Sequence, residues 1–164
     1  MADADVVWIA CDHGGYEAKK VLEGFLAEKG VAFNDMGCHA PGICRYPHYA
    51  SMVAGAVSEG RATRGILLCS TGIGMSIIAN KYKGVRAALC ASAHNARMTR
   101  LHNDSNILCL GGQTTGAREM LEIVETWLGT GYEGGRHDIS LDMIRQAEDA
   151  MLSAIPWASP DPRA

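Results

Sequence analysis

The sequence predicts an α/β fold: one doubly wound αβα sandwich around a five-stranded parallel sheet, with an extra helix at the C-terminus. Short apolar runs alternate with amphipathic segments along the chain, which is the pattern of repeated strand–helix units. Glycine-rich turns follow several of these runs, at the edge where Rossmann-like and flavodoxin-like sheets bind ligands. The 164 residues suit a single domain with a sizeable core.

Composition argues against several classes of function. The formal net charge is −3 and the sequence has no basic run, which argues against binding to nucleic acid or to a membrane surface. No apolar segment reaches transmembrane length, and the start of the chain lacks the basic residues of a signal peptide. The six cysteines form no C-x-x-C pair, which favours reduced core thiols over disulfides or a zinc site. We therefore expect a cytoplasmic protein.

The predicted elements follow one another through short turns, and no segment repeats. The first are a strand over Val6–Ala10, a helix ended by Gly30, a strand over Val31–Phe33, a loop over Gly37–Arg45 and a helix from Pro47 to about Gly60. A strand over Ile66–Leu68, a helix through Met75–Ala79, a strand over Arg86–Cys90 and a helix over Ala93–Leu101 follow. The last are a strand over Ile107–Leu110, a helix after Gly111–Thr115, a glycine-rich loop over Gly129–His137 and a helix stopped by Pro156. The domain is expected to cover residues 1–155, with a flexible tail over 156–164.

Helical spacing predicts which apolar side chains face the core. In the first two helices these are Val21, Leu22, Phe25, Leu26, Ala50, Val53, Ala54 and Val57. In the helix after the fifth strand they are Ala117, Leu121, Val124 and Leu128. The last helix carries Leu141, Ile144, Met151, Leu152 and Ile155.

The stretch Gly65–Asn80 organises the predicted site. It runs from a buried strand into a helix, and the turn between them, Cys69–Gly74, holds a thiol, two hydroxyls and two glycines. Glycines let a backbone approach a ligand closely, and free N–H groups at a helix start attract anions and favour a thiolate. We interpret this turn as an anion-binding loop with a reactive group at its edge.

Three chemistries fit Cys69, beside the simpler interpretation that it is an inert core thiol. A cysteine phosphatase would need an arginine six residues after the nucleophile, where Met75 stands. A flavodoxin-like phosphate loop typically follows the first strand, whereas this turn follows the third. The remaining option is a thiolate that acts as a general base while backbone amides stabilise developing negative charge.

Asp12 and His13 follow the first strand, so their turn should lie beside Cys69 and Thr71 at the carboxyl edge of the sheet. Asp12 could serve only as a helix cap, which is a common role of aspartate. A contact between this pair and a polar substrate is an equally good interpretation.

His102 and Asn103 pose a geometric problem. They belong to the polar connector His102–Asn106, which leads from a helix into a strand and so lies at the amino edge of the sheet. About 17–20 Å, a strand length, separates this edge from Cys69. Either His102 is an ordinary helix-end residue, or it completes the site of a neighbouring chain. The second interpretation predicts a two-fold dimer with composite sites.

Five motifs in register carry a resemblance to a known family. They are CDHGGYEAKK from Cys11, YPHYA at Tyr46–Ala50, GILLCSTGIGMSIIANK from Gly65, HNDSN at His102–Asn106 and YEGGRH at Tyr132–His137. Together they resemble type B ribose-5-phosphate isomerase, a family that includes the galactose-6-phosphate isomerase subunits. The match covers roughly residues 6–150.

The resemblance implies aldose–ketose isomerisation of a ring-opened sugar phosphate without metal or cofactor, in a homodimer with composite sites or in a tetramer. It implies that Cys69 is the base that moves a proton between C1 and C2 through an enediolate, and that Thr71 stabilises the enediolate oxygen. His102 would be the acid–base group that opens the furanose ring. The substrate-binding residues that it implies are Asp12, His13, Tyr46, Ser70, Gly72, Ile73, Gly74, Asn103, Gln113, Arg136 and Ser140.

Two positions depart from the family pattern. Gln113 and Ser140 stand where the family usually carries arginine, and each charge-assisted contact to phosphate contributes about 1.5–3 kcal/mol. Arg45 or Arg145 could replace them, or the substrate is another sugar. We predict an isomerase with ribose 5-phosphate and ribulose 5-phosphate as the default pair. The alternatives are an isomerase for a tetrose, hexose or unphosphorylated sugar, and a non-catalytic module that binds phosphate or a nucleotide.

Overall fold

Five parallel strands form one sheet with helices on both faces in the computed structural model, which describes residues 6–151. The strands are β1 (Val7–Cys11), β2 (Phe33–Asp35), β3 (Arg64–Cys69), β4 (Ala87–Leu89) and β5 (Ile107–Gly111). The helices are α1 (Tyr16–Glu28), α2 (Tyr46–Ser58), α3 (Ile73–Ala79), α4 (Ala93–Asn103), α5 (Ala117–Gly129) and α6 (Arg136–Met151), with a 3₁₀ turn over His13–Gly15. The strand order is β2-β1-β3-β5-β4. The predicted doubly wound αβα fold is confirmed.

Strand β3 is buried on both faces because it lies in the middle of the sheet. Its residues Ile66, Leu67 and Leu68 are fully buried, and alternate side chains point to opposite faces. Ile66 and Leu68 pack into the cluster formed with α1, α4 and α5, whereas Leu67 and Cys69 pack into the cluster formed with α2 and α3. The continuous apolar run in the sequence follows from this central position.

The ends of the three central strands are level with one another. Cys11 pairs in register with Leu68, and Cys69 pairs with Gly111. The turns that follow β1, β3 and β5 therefore meet at one point on the carboxyl edge of the sheet.

Several predicted boundaries are wrong. β2 starts at Phe33, two residues later than predicted, because Val31 donates its N–H to the carbonyl of Leu26 and so closes the end of α1. α4 continues to Asn103, so His102 and Asn103 lie in its last turn and not in a connector. α6 begins at Arg136, inside the segment predicted to be a loop.

The predicted buried faces also need correction. Val21 and Ala117 are exposed, whereas Met120, Ile123 and Trp127 join Val124 in the buried face of α5. Leu121 and Leu128 are half-buried and pack against the same core, as predicted. Within the described part of α6 no residue is fully buried, and Ile139, Met143, Ile144 and Met151 are exposed. Leu152, Ile155 and the predicted tail over 156–164 lie outside the described residues. None of the helices within residues 6–151 combines the length and the apolar character needed to cross a membrane.

Candidate active site

The turns after β1, β3 and β5 touch one another through glycine. A Cβ atom on Gly14 would lie 2.1 Å from the hydroxyl of Ser70, and one on Gly111 would lie 2.9 Å from the carbonyl of Thr71. Main-chain hydrogen bonds join the last two turns, because Gly112 donates to the carbonyl of Cys69 and Gln113 to that of Ser70. Glycine at these positions therefore lets three turns come together around the end of β3.

Cys69 is the last residue of β3, and its thiol accepts a main-chain hydrogen bond. The N–H of Gly72 lies 3.0 Å from Sγ of Cys69, in a turn where Gly72 has a φ of +77°. The sulfur therefore has a main-chain donor within its own turn. Met75, where a cysteine phosphatase would need arginine, is completely buried in the core. The geometry therefore suits a thiolate base rather than a phosphate-binding nucleophile.

Asp12 caps the 3₁₀ turn at the start of the first helical segment. Its Oδ1 accepts hydrogen bonds from Gly14 (2.8 Å) and Gly15 (3.2 Å), so the capping interpretation is confirmed. Burial raises the pKa of the Asp12 carboxyl, and these two N–H groups act against that rise. Contact between Asp12 and a substrate stays a prediction.

His13 lies next to Asp12 and is held by a loop distant in sequence. Its Nδ1 is 2.9 Å from the carbonyl oxygen of Cys44, in the loop before α2. The N–H of Cys44 also lies 3.4 Å from Nδ1, but the shorter contact, with the carbonyl, needs a proton on Nδ1. In that tautomer Nε2 can accept a hydrogen bond from a ligand. The two residues are 31 positions apart, so this contact could not be predicted from sequence pattern.

An apolar rim surrounds the Cys69 turn. The ring of Tyr46 lies against Gly74, where an added Cβ would be 2.8 Å from it. Tyr46, Ile73 and Leu89 are exposed, although each is a large apolar or aromatic side chain. Thr71 is also exposed, and its Oγ1 accepts a weak hydrogen bond from the N–H of Ile73. The predicted residues around Cys69 are thus brought together at the carboxyl edge of the sheet, with Cys69 and Asp12 buried and Thr71 exposed.

The remaining predicted residues lie at the opposite edge of the sheet. His102 and Asn103 end α4, and the carbonyl of Asn103 accepts a hydrogen bond from Arg86 (2.8 Å). Arg136 and Ser140 lie in the first turns of α6, and both are exposed. A single chain therefore does not bring these four residues to Cys69.

Sequence reasoning missed two partners of His102. The His102 and His137 rings are stacked, with centroids 4.2 Å apart and planes inclined by 16°. Oε2 of Glu133 lies 3.8 Å from Nε2 of His102 and 3.5 Å from Nε2 of His137. These three residues are the one group within residues 6–151 with the composition and spacing of a metal site. The YEGGRH motif contains Glu133 and His137, but only folding shows that it meets His102.

The two departures from the family pattern lie at opposite edges. Gln113 is exposed beside the Cys69 turn, and Ser140 is exposed on α6. Arg145, one proposed replacement, forms an exposed ion pair with Asp142 on the same helix.

Comparisons with known proteins found a matching family and similar structures. The model of the Ribose/Galactose Isomerase family matches residues 7–144. The chain is 44% identical to ribose-5-phosphate isomerase B of Escherichia coli strain K12 over 138 residues, which are 84% of this chain and 93% of that protein. It is 37% identical to D-erythrulose-4-phosphate isomerase of Pectobacterium atrosepticum over 128 residues, 77% of this chain and 84% of that one. The solved structure of ribose-5-phosphate isomerase B from Clostridium thermocellum matches with a TM-score of 0.86 at 43% identity, covering 88% of this chain and 98% of that chain.

Proposed function

The chain belongs to the ribose/galactose isomerase family, and on that premise we propose that it interconverts ribose 5-phosphate and ribulose 5-phosphate. The observation that carries the proposal is the position of Cys69. Its sulfur lies at the edge of a turn that offers main-chain N–H groups, one of which already points at the sulfur. A base beside a set of amide donors is the arrangement that an enediolate reaction needs.

Cys69 is the proposed base. Its thiolate would take the proton from C2 of the open-chain aldose and return it to C1, while a second proton passes from O2 to O1. The reverse reaction would use the same positions. Negative charge develops on the sugar oxygens in between, and the N–H groups of the Thr71–Gly74 turn, with the hydroxyl of Thr71, would stabilise it. Nε2 of His13 would bind a sugar hydroxyl, because Nδ1 already contacts Cys44.

The active site is proposed to form between two chains. His102, the proposed acid–base group for ring opening, ends α4 at the amino edge, whereas Cys69 ends β3 at the carboxyl edge. A two-fold dimer can place one chain's His102 against its partner's Cys69. The exposed apolar rim of Tyr46, Ile73 and Leu89 supports this, since an interface would bury it. A cytoplasmic location is proposed from the six free cysteines, which suit a reducing compartment.

A four-carbon sugar phosphate is the second candidate substrate. One relative is a D-erythrulose-4-phosphate isomerase, so the family's members differ in sugar. Gln113 and Ser140 in this chain remove two positive charges that the resemblance leads us to expect. Both sugar phosphates carry the same phosphate group, so this loss of charge does not choose between them, and the relative's activity is what supports the second candidate.

Solvent exchange tests the class of reaction. When ribose 5-phosphate is incubated with the protein in D₂O, an enediolate mechanism places deuterium on C1 of the ribulose 5-phosphate formed, which NMR detects. The same incubation with erythrose 4-phosphate tests the second candidate. Absence of exchange into any aldose or ketose would favour a non-catalytic binding module instead.

A further inference from the structure

His102, Glu133 and His137 form a cluster that the proposed reaction uses only through His102. Nε2 of each histidine lies within 3.8 Å of Oε2 of Glu133, and the three ligand atoms all lie within 4.8 Å of one another. We propose that this cluster binds a divalent transition-metal ion such as Zn²⁺, and that the bound ion inhibits the enzyme by occupying His102.

The spacing of the ligand atoms is close to that of a zinc site. Tetrahedral Zn²⁺ with bonds of about 2.0–2.2 Å holds neighbouring ligand atoms roughly 3.3–3.6 Å apart. The carboxylate of Glu133 is 3.5 and 3.8 Å from the two imidazole nitrogens. The stacked rings need one rotation so that both lone pairs point at the ion. In the single chain the side chain of His102 is 36% exposed, so its own chain leaves room for this rotation.

The backbone places the three ligands before any ion binds. The N–H of Glu133 donates to the carbonyl of Leu101, which fixes Glu133 beside the last turn of α4. His137 follows through a turn in which its N–H donates to the carbonyl of Gly134. Rotation of one ring and withdrawal of Arg136 from His137 would complete the site.

The chemical type of the ligand atoms determines which metal ions this cluster can bind. Two imidazoles and one carboxylate form a set that zinc enzymes use with a fourth position left open. Mg²⁺ and Ca²⁺ prefer oxygen ligands and retain water, so they should bind this cluster poorly.

Arg136 opposes the ion. Its Nε donates to Nε2 of His137 at 3.4 Å, so it uses the lone pair that the metal needs and adds a like charge. Because Arg136 is exposed, its guanidinium can move into solvent when the ion enters. Replacement of Arg136 by alanine should therefore strengthen binding of Zn²⁺.

The prediction that the metal binds depends only on the cluster, whereas the prediction that it inhibits depends on the proposed function. Calorimetric titration of the metal-free protein with Zn²⁺ measures binding. We expect one ion per chain in the wild type, and affinity at least about tenfold weaker in Glu133→Gln and His137→Gln. His94→Gln is the matched control, because His94 is exposed on the same helix as His102 but outside the cluster. No binding to the wild type, or equal affinity in all four proteins, would overturn the proposal.

The Cys69→Ala variant tests whether Zn²⁺ binding requires the thiol of Cys69. The proposal expects this variant to bind Zn²⁺ as the wild type does, and loss of binding would overturn a site made of His102, Glu133 and His137 alone. In the isomerase assay, Zn²⁺ at concentrations that fill the site should inhibit the wild type but not His137→Gln, and a chelator should reverse the inhibition. Equal inhibition of both proteins would overturn the inhibitory role. Zn²⁺ binding that follows the expected pattern in a protein with no isomerase activity would retain the metal site and refute the proposed function.

Discussion

The N–H of Gly72 donates a 3.0 Å hydrogen bond to Sγ of Cys69. Gly72 can point its N–H back at the strand end because its φ is +77°, a conformation that other residues rarely adopt. A Cβ there would also lie 2.6 Å from the Leu89 side chain. The conformation of this turn, and the hydrogen bond that it donates to the thiol, therefore depend on glycine at position 72.

Replacement of Cys69 by alanine should abolish turnover and leave substrate binding largely intact, because it removes the proposed base and little else. Cys90→Ala is the matched control. Burial raises the pKa of the Cys90 thiol to about 11, so at neutral pH this cysteine stays protonated and cannot act as a base. Coupled assays of isomerase activity and calorimetric binding measure both properties. Substantial activity in Cys69→Ala would refute the assignment of the base.

Gly15→Ala should destabilise the protein and disturb the site. An added Cβ would lie 2.6 Å from the main-chain carbonyl of Leu68, so the turn after β1 would have to separate from β3. Gly24→Ala is the control, since nothing lies within 4 Å of a Cβ in this helix interior, and it should stabilise by about 0.5–1 kcal/mol. Urea denaturation compares the two variants. If Gly15→Ala is as stable as Gly24→Ala, the close approach of the turns is not required.

The sheet could be predicted from the sequence because strand runs such as Ile66–Leu68 are apolar throughout, which only a central strand allows. Tertiary packing determines which residues of each helix are fully buried, and the sequence pattern alone did not predict all of them. In α5 the helical spacing predicts Leu121 and Leu128, which the structure leaves half-buried against the core. The fully buried part of that face includes Trp127, whose indole N–H donates to the hydroxyl of Ser105.

The candidate site likewise has a part that could be predicted from the sequence and a part that could not. The Cys69 turn and the edge of the sheet where His102 lies follow from topology, so both could be predicted. Contacts between residues far apart in sequence could not, as the link between His13 and Cys44 and the stack of His102 on His137 show.

Asp35→Asn should destabilise the fold by about 3 kcal/mol near neutral pH, because it leaves the buried ammonium of Lys19 without its nearest partner. Lys19 is 1% exposed, and its Nζ is 2.5 Å from Asp35 but 3.5 Å from Glu23. Burial by itself raises the pKa of Asp35, but its bonds with Lys19 and with the N–H of Gly37 outweigh burial and hold it below the usual value.

The sign of the pH dependence follows from that lowered pKa. A carboxyl with a depressed pKa stabilises the fold above the unfolded pKa of about 3.9 and loses this effect as the pH falls through the folded value. The difference in free energy of unfolding between wild type and Asp35→Asn should therefore become smaller below about pH 4. Denaturation curves at fixed protein concentration measure the free energy of unfolding of both proteins at each pH. A difference that does not change with pH would contradict the ion-pair account.

Gln113→Arg and Ser140→Arg should raise kcat/KM for ribose 5-phosphate, each by about 10- to 150-fold if a full charge-assisted contact forms. Both residues are exposed, so arginine fits at each. Free ribose is the control substrate, since it has no phosphate to gain from the new charge. An equal gain for ribose and ribose 5-phosphate, or no gain with either, would show that these positions do not face a phosphate.

Subunit mixing tests the composite active site most directly. Cys69→Ala and His102→Ala homodimers should each be inactive, because every site lacks one of its two groups. After exchange of equal amounts, half of the dimers are mixed and each holds one intact site, so activity should return to about a quarter of the wild-type value. Mass spectrometry verifies that exchange has occurred. Mixed dimers with no activity would contradict the account and show that the sites do not combine Cys69 of one chain with His102 of the other.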